Sequence, residues 1–417
     1  MPPETESVKQ PEHRTSPEAM LYLESFGLVD RQPMIRSSDY RMTRSCPFTY
    51  YLCRRLGLVK ALQYSEALSR GTWVHHFFSF ITLSEDDRVA NCYTLLNRRL
   101  DELKAQLKAM GTSNDKMHEI LHREETDFLV TKAWFEAALT VTINSDLGTL
   151  KEHLCNDRFI HVGQELLLKH GDCVAQPDLL LYDKPYNKLW IVDFKTCAGS
   201  PHQRLQMCPW EFQTQHYFAI AQHLMMDGQL QHALDIPSDC ELGGVKHIAI
   251  SKPTIKFGMA DRPFTIDTTP LKSGPRKGEP KNKKVFTGEP HPDNYRERCI
   301  EWYHGINGYE HLQPERVTDP PVNISWTGKR TLLDHDQLMM YSDRLSSIRK
   351  YRNNAPVPGN FLVGDVAPFM GRISPYASFI TNPVKQWPQI IESEGFIVRD
   401  RDDPNMGDGI HASFLNE

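Results

Sequence analysis

The chain has 417 residues, enough for two ordinary domains or one domain with large insertions. Hydrophobic residues make up 40% and charged residues 24%, with a net charge of −5. These values exclude a wholly disordered or fibrous chain and give no global sign of a nucleic-acid binder, although a local basic patch would suffice for one. No run of about 18 apolar residues occurs, so no membrane span is expected.

Residues 1–36 read as a flexible N-terminal tail, and their polar start has no apolar core of the secretory kind. Helical patterning follows over 37–58 and 70–81, then over two longer stretches, 85–110 and 116–141, separated at Gly111 and Ser113. The period then changes. Short apolar runs at 159–168, 172–183 and 188–196 are split by turn residues at His170-Gly171-Asp172 and Lys184-Pro185-Tyr186-Asn187, and read as three neighbouring strands. A helix is expected over 210–226, a strand over 247–252, a Gly-, Pro- and Lys-rich loop over 268–290 and a helix over 294–306. Trp302 and Tyr303, with Trp326 beyond them, read as core or as base-stacking rings. Residues 313–417 form a C-terminal extension of unknown role, with one helix near 334–352. The order of elements indicates an α/β (α+β) fold with a helical N-terminal part. The nine cysteines are odd in number and contain no CxxC pair, which suits free thiols in a reducing cytoplasm.

Chemistry concentrates between Glu165 and Tyr217. Asp178 ends a Gln-Pro-Asp triplet. Asp193 and Lys195 lie two apart in Trp-Ile-Val-Asp-Phe-Lys-Thr and so share a strand face with Ile191, while Val192 and Phe194 take the other. An acid and a lysine on an apolar strand need a partner or a metal, because burying unpaired charge is costly. Asp178 on the next strand would complete a hard-oxygen site suited to Mg²⁺ or Mn²⁺. A divalent ion there can activate water and stabilise charge on a phosphodiester, with the lysine assisting. The plain alternatives are a turn residue at Asp178 and an edge-strand ion pair at Asp193 and Lys195.

These fragments resemble the PD-(D/E)XK nuclease superfamily, and their surroundings resemble its RecB-like and phage-exonuclease branch. Gly71-Thr72-Trp73-Val74-His75 is similar to the Gly-x-x-x-His helix ahead of the sheet. Glu165 matches the glutamate before the first aspartate, and Gln213-Thr214-Gln215-His216-Tyr217 matches a Gln-x-x-x-Tyr helix after the Asp-x-Lys strand. Cys46-Pro47-Phe48 is similar to the Cys-Pro-aromatic opening of such domains.

The resemblance implies a restriction-endonuclease-like core over 37–312, with a mixed sheet flanked by helices. It implies that His75, Asp178, Asp193 and the Phe194 backbone carbonyl hold the metal, with Lys195 as the catalytic lysine and Glu165 as a further acid. Gln213 and Tyr217 would hold DNA. The basic residues Lys272, Arg276, Lys277, Lys281, Lys283 and Lys284 would touch its phosphates or simply be solvated. His76 beside His75 leaves the register open, and Glu165 has a plain alternative in pairing with Lys169.

The implied function is a Mg²⁺- or Mn²⁺-dependent DNA exonuclease of recombination or repair, in a bacterial or phage-infected cytoplasm. Its partners would be DNA, a single-strand annealing or recombination protein, or further copies of itself. A structure-specific or CRISPR-adaptation-type endonuclease and a catalytically silent DNA-binding scaffold stay open. No iron–sulfur cluster is expected, since no tight cysteine triplet precedes Cys299.

Overall fold

The computed structural model describes residues 24, 28, 30–60, 66–109, 111–144, 148–270, 272–273, 275–276, 279–281, 283–305, 322–327, 335–353 and most of 376–398. The front piece is helical. α1 (Asp39–Ser45) and α2 (Pro47–Tyr50) are separated at Cys46, whose extended backbone (φ −159°) interrupts what the sequence reads as one helix, and a π turn (Tyr51–Arg55) follows. β1 (Leu58–Lys60) leads to α3 (Glu66–Ser79) and then to the antiparallel pair α4 (Glu85–Ala109) and α5 (Asn114–Leu139). β2 (Thr142–Asn144), β3 (Gly148–Thr149) and α6 (Leu150–Leu154) complete this part, α6 starting with a capping box between Thr149 and Glu152.

The expected strands are present but broken. The first run divides into β4 (Phe159–Gln164) and β5 (Leu168–His170), and the second into β6 (Cys173–Ala175) and β7 (Leu179–Asp183). Glu165 causes the first break, since its backbone is left-handed (φ 46°), and Pro177 interrupts the second. β5 and β6 therefore pair as a separate ribbon, while β4 and β7 join the main sheet. β8 (Lys188–Cys197) follows, then α7 (Pro201–Met207), α8 (Phe212–Met226), α9 (Gln229–Ala233) and β9 (Glu241–Ser251).

The main sheet has the order β12-β9-β8-β7-β4, with β12 at Val322–Thr327. β4 pairs antiparallel with β7 and β7 with β8, and β9 lies parallel to β8 after the α8 crossover, so the sheet is mixed. Alternation along β8 divides the core. Trp190, Val192 and Phe194 face α3, α5 and α10 (Pro292–Tyr303), while Leu189 and Ile191 face α8 and α11 (His335–Asn353). Trp302 and Tyr303 are buried in the first of these cores and offer no surface to a base. Trp326 is in β12, but its side chain lies outside the described residues.

Two features depart from the expected layout beyond the sheet's first strands. The segment expected as a loop over 268–290 contains β11 (Lys283–Phe286), which pairs antiparallel with β10 (Phe264–Asp267), because alternating residues on both sides of the Gly/Pro-rich stretch can form a ribbon. The C-terminal part also shares cores with the rest. β13 (Phe396–Val398) pairs with β1, and Trp387 of α12 (Trp387–Ser393) packs with Phe48, Tyr51 and Leu52. No described helix is long and apolar enough to cross a membrane.

Candidate metal centre and active site

β4, β7 and β8 bring the acidic residues to one end of the sheet. The left-handed turn at Glu165 ends the strand alternation, and its N–H donates to the Asp178 carbonyl at 3.2 Å. Non-glycine residues seldom adopt this conformation, and such strain gathers at functional sites. The Gln176 side chain supports the turn by donating from Nε2 to the Glu165 carbonyl at 3.2 Å. Asp178 is gripped from two sides. One carboxylate oxygen accepts the Phe194 N–H at 2.6 Å, and the other lies 2.9 Å from His75 Nδ1.

His75 reaches this point from α3. Its neighbour His76 is buried in the helix interface, where burial first, and then His75 and Arg99, hold it down to about 4. The register question is thus resolved in geometry: His75 faces the acids and His76 faces the core. Phe78, one turn further along, stacks parallel on Phe194 and ties the helix to the Asp-x-Lys strand.

His75, Glu165 and Asp178 each offer a ligand atom within 4.8 Å of the others. Burial, and then the Asp178 carboxylate, push Glu165 up to about 8, with His75 opposing. Burial would lower His75, but Asp178 and the other acids carry it up to about 9. Two crowded carboxylates and an imidazole form a donor set that a divalent cation fits, since its charge would relieve the repulsion between the acids.

Asp193 is not one of this trio. It is buried, with Oδ1 accepting from Lys195 Nζ at 2.9 Å and Oδ2 facing His247 Nδ1 at 3.0 Å. Burial alone would raise its pKa, yet Lys195 and His247 hold it far below the usual carboxylate range. Burial would likewise lower Lys195, but Asp193 and Asp178 keep it above its ordinary value and therefore charged. The Lys195 ammonium also donates to Gln213 Oε1 at 2.7 Å. Gln213 Nε2 donates to the Tyr217 hydroxyl at 2.9 Å, and that hydroxyl donates to the Gln176 carbonyl at 3.0 Å. Gln213 and Tyr217 thus face inward; Tyr217 is 5% exposed. The chain of bonds links the lysine back to the Gln-Pro-Asp turn and leaves no Tyr217 hydroxyl for a phosphate. At Phe194 it is the N–H that meets Asp178.

Two contributors were not picked out from the sequence. His247 stands opposite Asp193 in the parallel register of β8 and β9, and Thr214 lies 3.3 Å from its other ring nitrogen. A histidine within an apolar strand expected to follow the α8 crossover was the available signal. Of the basic residues, Lys272, Arg276, Lys281, Lys283 and Lys284 are exposed, on or next to the β10–β11 ribbon, and none is among the contacts of this centre. Lys277 lies outside the described residues.

A family model of the PD-(D/E)XK nuclease superfamily matches residues 37–303, more than half of the chain. The chain belongs to the PD-(D/E)XK nuclease superfamily. The match covers the helical front, the sheet strands β4, β7, β8 and β9, α8 and α10, and so contains every residue of the centre just described. Members are nucleases that use divalent metals, in keeping with the His75, Glu165 and Asp178 cluster. No curated protein matches the chain.

Proposed function

We propose that the protein is a Mg²⁺- or Mn²⁺-dependent deoxyribonuclease, acting as an exonuclease on DNA ends in recombination or repair. The observation that carries the reading is the junction at Phe194, where Asp178 of the ligand cluster is bonded to the backbone between Asp193 and Lys195. The carboxylate cluster and a partly buried ammonium are thereby joined through the backbone of β8, which supports the reading.

His75, Glu165 and Asp178 would hold the ion, with Asp193 and the Phe194 carbonyl as the remaining candidates. When bound, the ion supplies Lewis acidity and lowers the pKa of water. Lys195 keeps its proton and offsets negative charge that develops on the phosphodiester during attack, an effect strengthened by its partial burial. Asp193 holds the ammonium, and His247 orients Asp193 from the neighbouring strand. Gln213 fixes the same ammonium from α8.

Digestion of end-labelled linear duplex beside closed circular DNA tests the exonuclease reading. Loss of the linear substrate alone is the expected result. Cleavage of the circle would instead make the protein an endonuclease on the same core, and failure to cut either under Mg²⁺ or Mn²⁺ would count against a nuclease.

A further inference from the structure

The β10–β11 ribbon carries a face that no core covers. Cross-strand partners in an antiparallel pair share a side, so the register Phe264↔Phe286 and Ile266↔Lys284 puts these four side chains together. They are exposed: Phe264 45%, Phe286 38% and Ile266 55%. The rings meet edge to face at 6.0 Å, and the Lys284 ammonium sits 4.2 Å over the Phe264 ring. An isolated two-stranded ribbon is marginal in water, and exposed apolar patches mark interaction sites.

The fold holds this ribbon firmly at its base. β9 leaves the sheet at Ser251, opposite Cys197 and so at the same sheet end as Lys195. Tyr303 and Tyr295 of α10 donate hydroxyls to the Ser251 and Ile255 carbonyls at 2.7 and 3.1 Å. Buried Asp261 pairs with Arg298 at 2.6 Å and accepts the Gly258 N–H at 2.7 Å, and its carbonyl accepts the His291 N–H at 2.9 Å. Thr287 N–H closes the stem on the Pro263 carbonyl at 2.7 Å.

Charge specifies the occupant. Residues 264–286 contain six lysines and arginines against Asp267 and Glu279, in a chain whose net charge is −5. Lys281 and Arg276 pair with those two acids, while Lys283 and Lys284 have no acid partner among the described residues. Flat rings beside the unneutralised Lys284 ammonium match a strand that offers bases and phosphates together.

We propose that the β10–β11 ribbon grips single-stranded DNA, with Phe264 and Phe286 stacking on unpaired bases and Lys284, on the same face, meeting the phosphates. This rests on the nuclease reading for the identity of the polymer and deepens it by naming where an unpaired strand is held.

Fluorescence anisotropy of a labelled oligothymidylate with the full chain in EDTA, where no cleavage can occur, measures the grip. The doubly substituted F264A/F286A is expected to bind about tenfold or more weakly, as loss of base stacking requires. F264Y/F286Y retains the rings and should bind like the parent. K284A should lower the slope of log affinity against log salt by about 0.7. Thermal melts confirm that each variant folds.

Equal oligothymidylate binding by F264A/F286A and the parent overturns the proposal, as does a loss that appears only with duplex or with a protein ligand. Turnover of thymidine 5′-p-nitrophenyl phosphate with Mn²⁺ separates the two claims, because that ester is too small to span site and ribbon. If the parent hydrolyses neither ester nor DNA while the ring variants still lose oligothymidylate, the nuclease reading fails and the grip stands. If the parent cleaves and the ring variants bind unchanged, the grip alone fails.

Discussion

Lys195 is held by two oxygens from different elements, Asp193 on its own strand and Gln213 on α8. Removing Gln213 leaves the ammonium paired but less well placed. Gln213→Ala is therefore expected to lower kcat about tenfold to a hundredfold, the cost of a small misplacement, with KM nearly unchanged in steady-state cleavage. A residue that gripped DNA directly would show the reverse, a raised KM with kcat retained. His247→Ala should fall in the same range, about 10- to 100-fold, because it strips the support from Asp193. At this scale the sequence conveyed much of the centre. The Asp-x-Lys alternation is found as expected, with Ile191 on one side of β8 and Val192 and Phe194 on the other, whereas Asp178 sits in the turn before β7 and Asp193 outside its cluster. The sequence could not convey that Asp193 would be turned to His247, because that contact depends on a parallel register set by a crossover of more than forty residues.

Among elements, the kink after β4 decides whether Glu165 reaches the cluster. An unbroken strand over 159–168 would continue strict alternation; the left-handed turn swings the carboxylate toward His75 and Asp178 instead. Asp178→Asn should abolish any rise in melting temperature produced by Mg²⁺ or Mn²⁺, and Glu165→Gln should reduce it, as differential scanning fluorimetry would report. An unchanged rise in Asp178→Asn would remove that residue from the ligand set. The contact between α3 and β8 is equally specific. Phe78→Ala empties the ring that stacks on Phe194 and is expected to cost about 3–5 kcal/mol in denaturant unfolding. Helices α4 and α5 were legible from periodicity over their length. β11 was not, because four strand residues beside a Gly/Pro-rich stretch carry too little pattern to be told from loop.

For the whole molecule, charge is distributed unevenly, and one buried amine lies on the sheet outside the proposed centre. Lys246 is 0% exposed on β9, bonded to His153 and stacked over the Phe159 ring. Burial, and then Arg158, push it down to about 6, with Asp183 opposing. His153 is lowered to about 3 by burial and then by Lys246 and Arg158. Between pH 6 and the ordinary lysine value of 10.5 the folded chain thus binds fewer protons than the unfolded one. Stability rises with pH across that window, and the penalty is complete below it. Each such proton adds about 1.4 kcal/mol per pH unit to the slope. Lys246→Met should flatten the rise in melting temperature between pH 6 and 9; an unchanged slope would show that Lys246 keeps its proton on folding. The central claim is that the His75, Glu165 and Asp178 cluster and Lys195 form one hydrolytic centre. Single-turnover cleavage of linear duplex with Mg²⁺ or Mn²⁺, comparing the parent with Lys195→Ala and Asp178→Asn, tests it most directly. The account predicts cleavage that EDTA stops and a loss of roughly 10²–10³ or more in rate in each variant. Cleavage at the parental rate by either folded variant would contradict it.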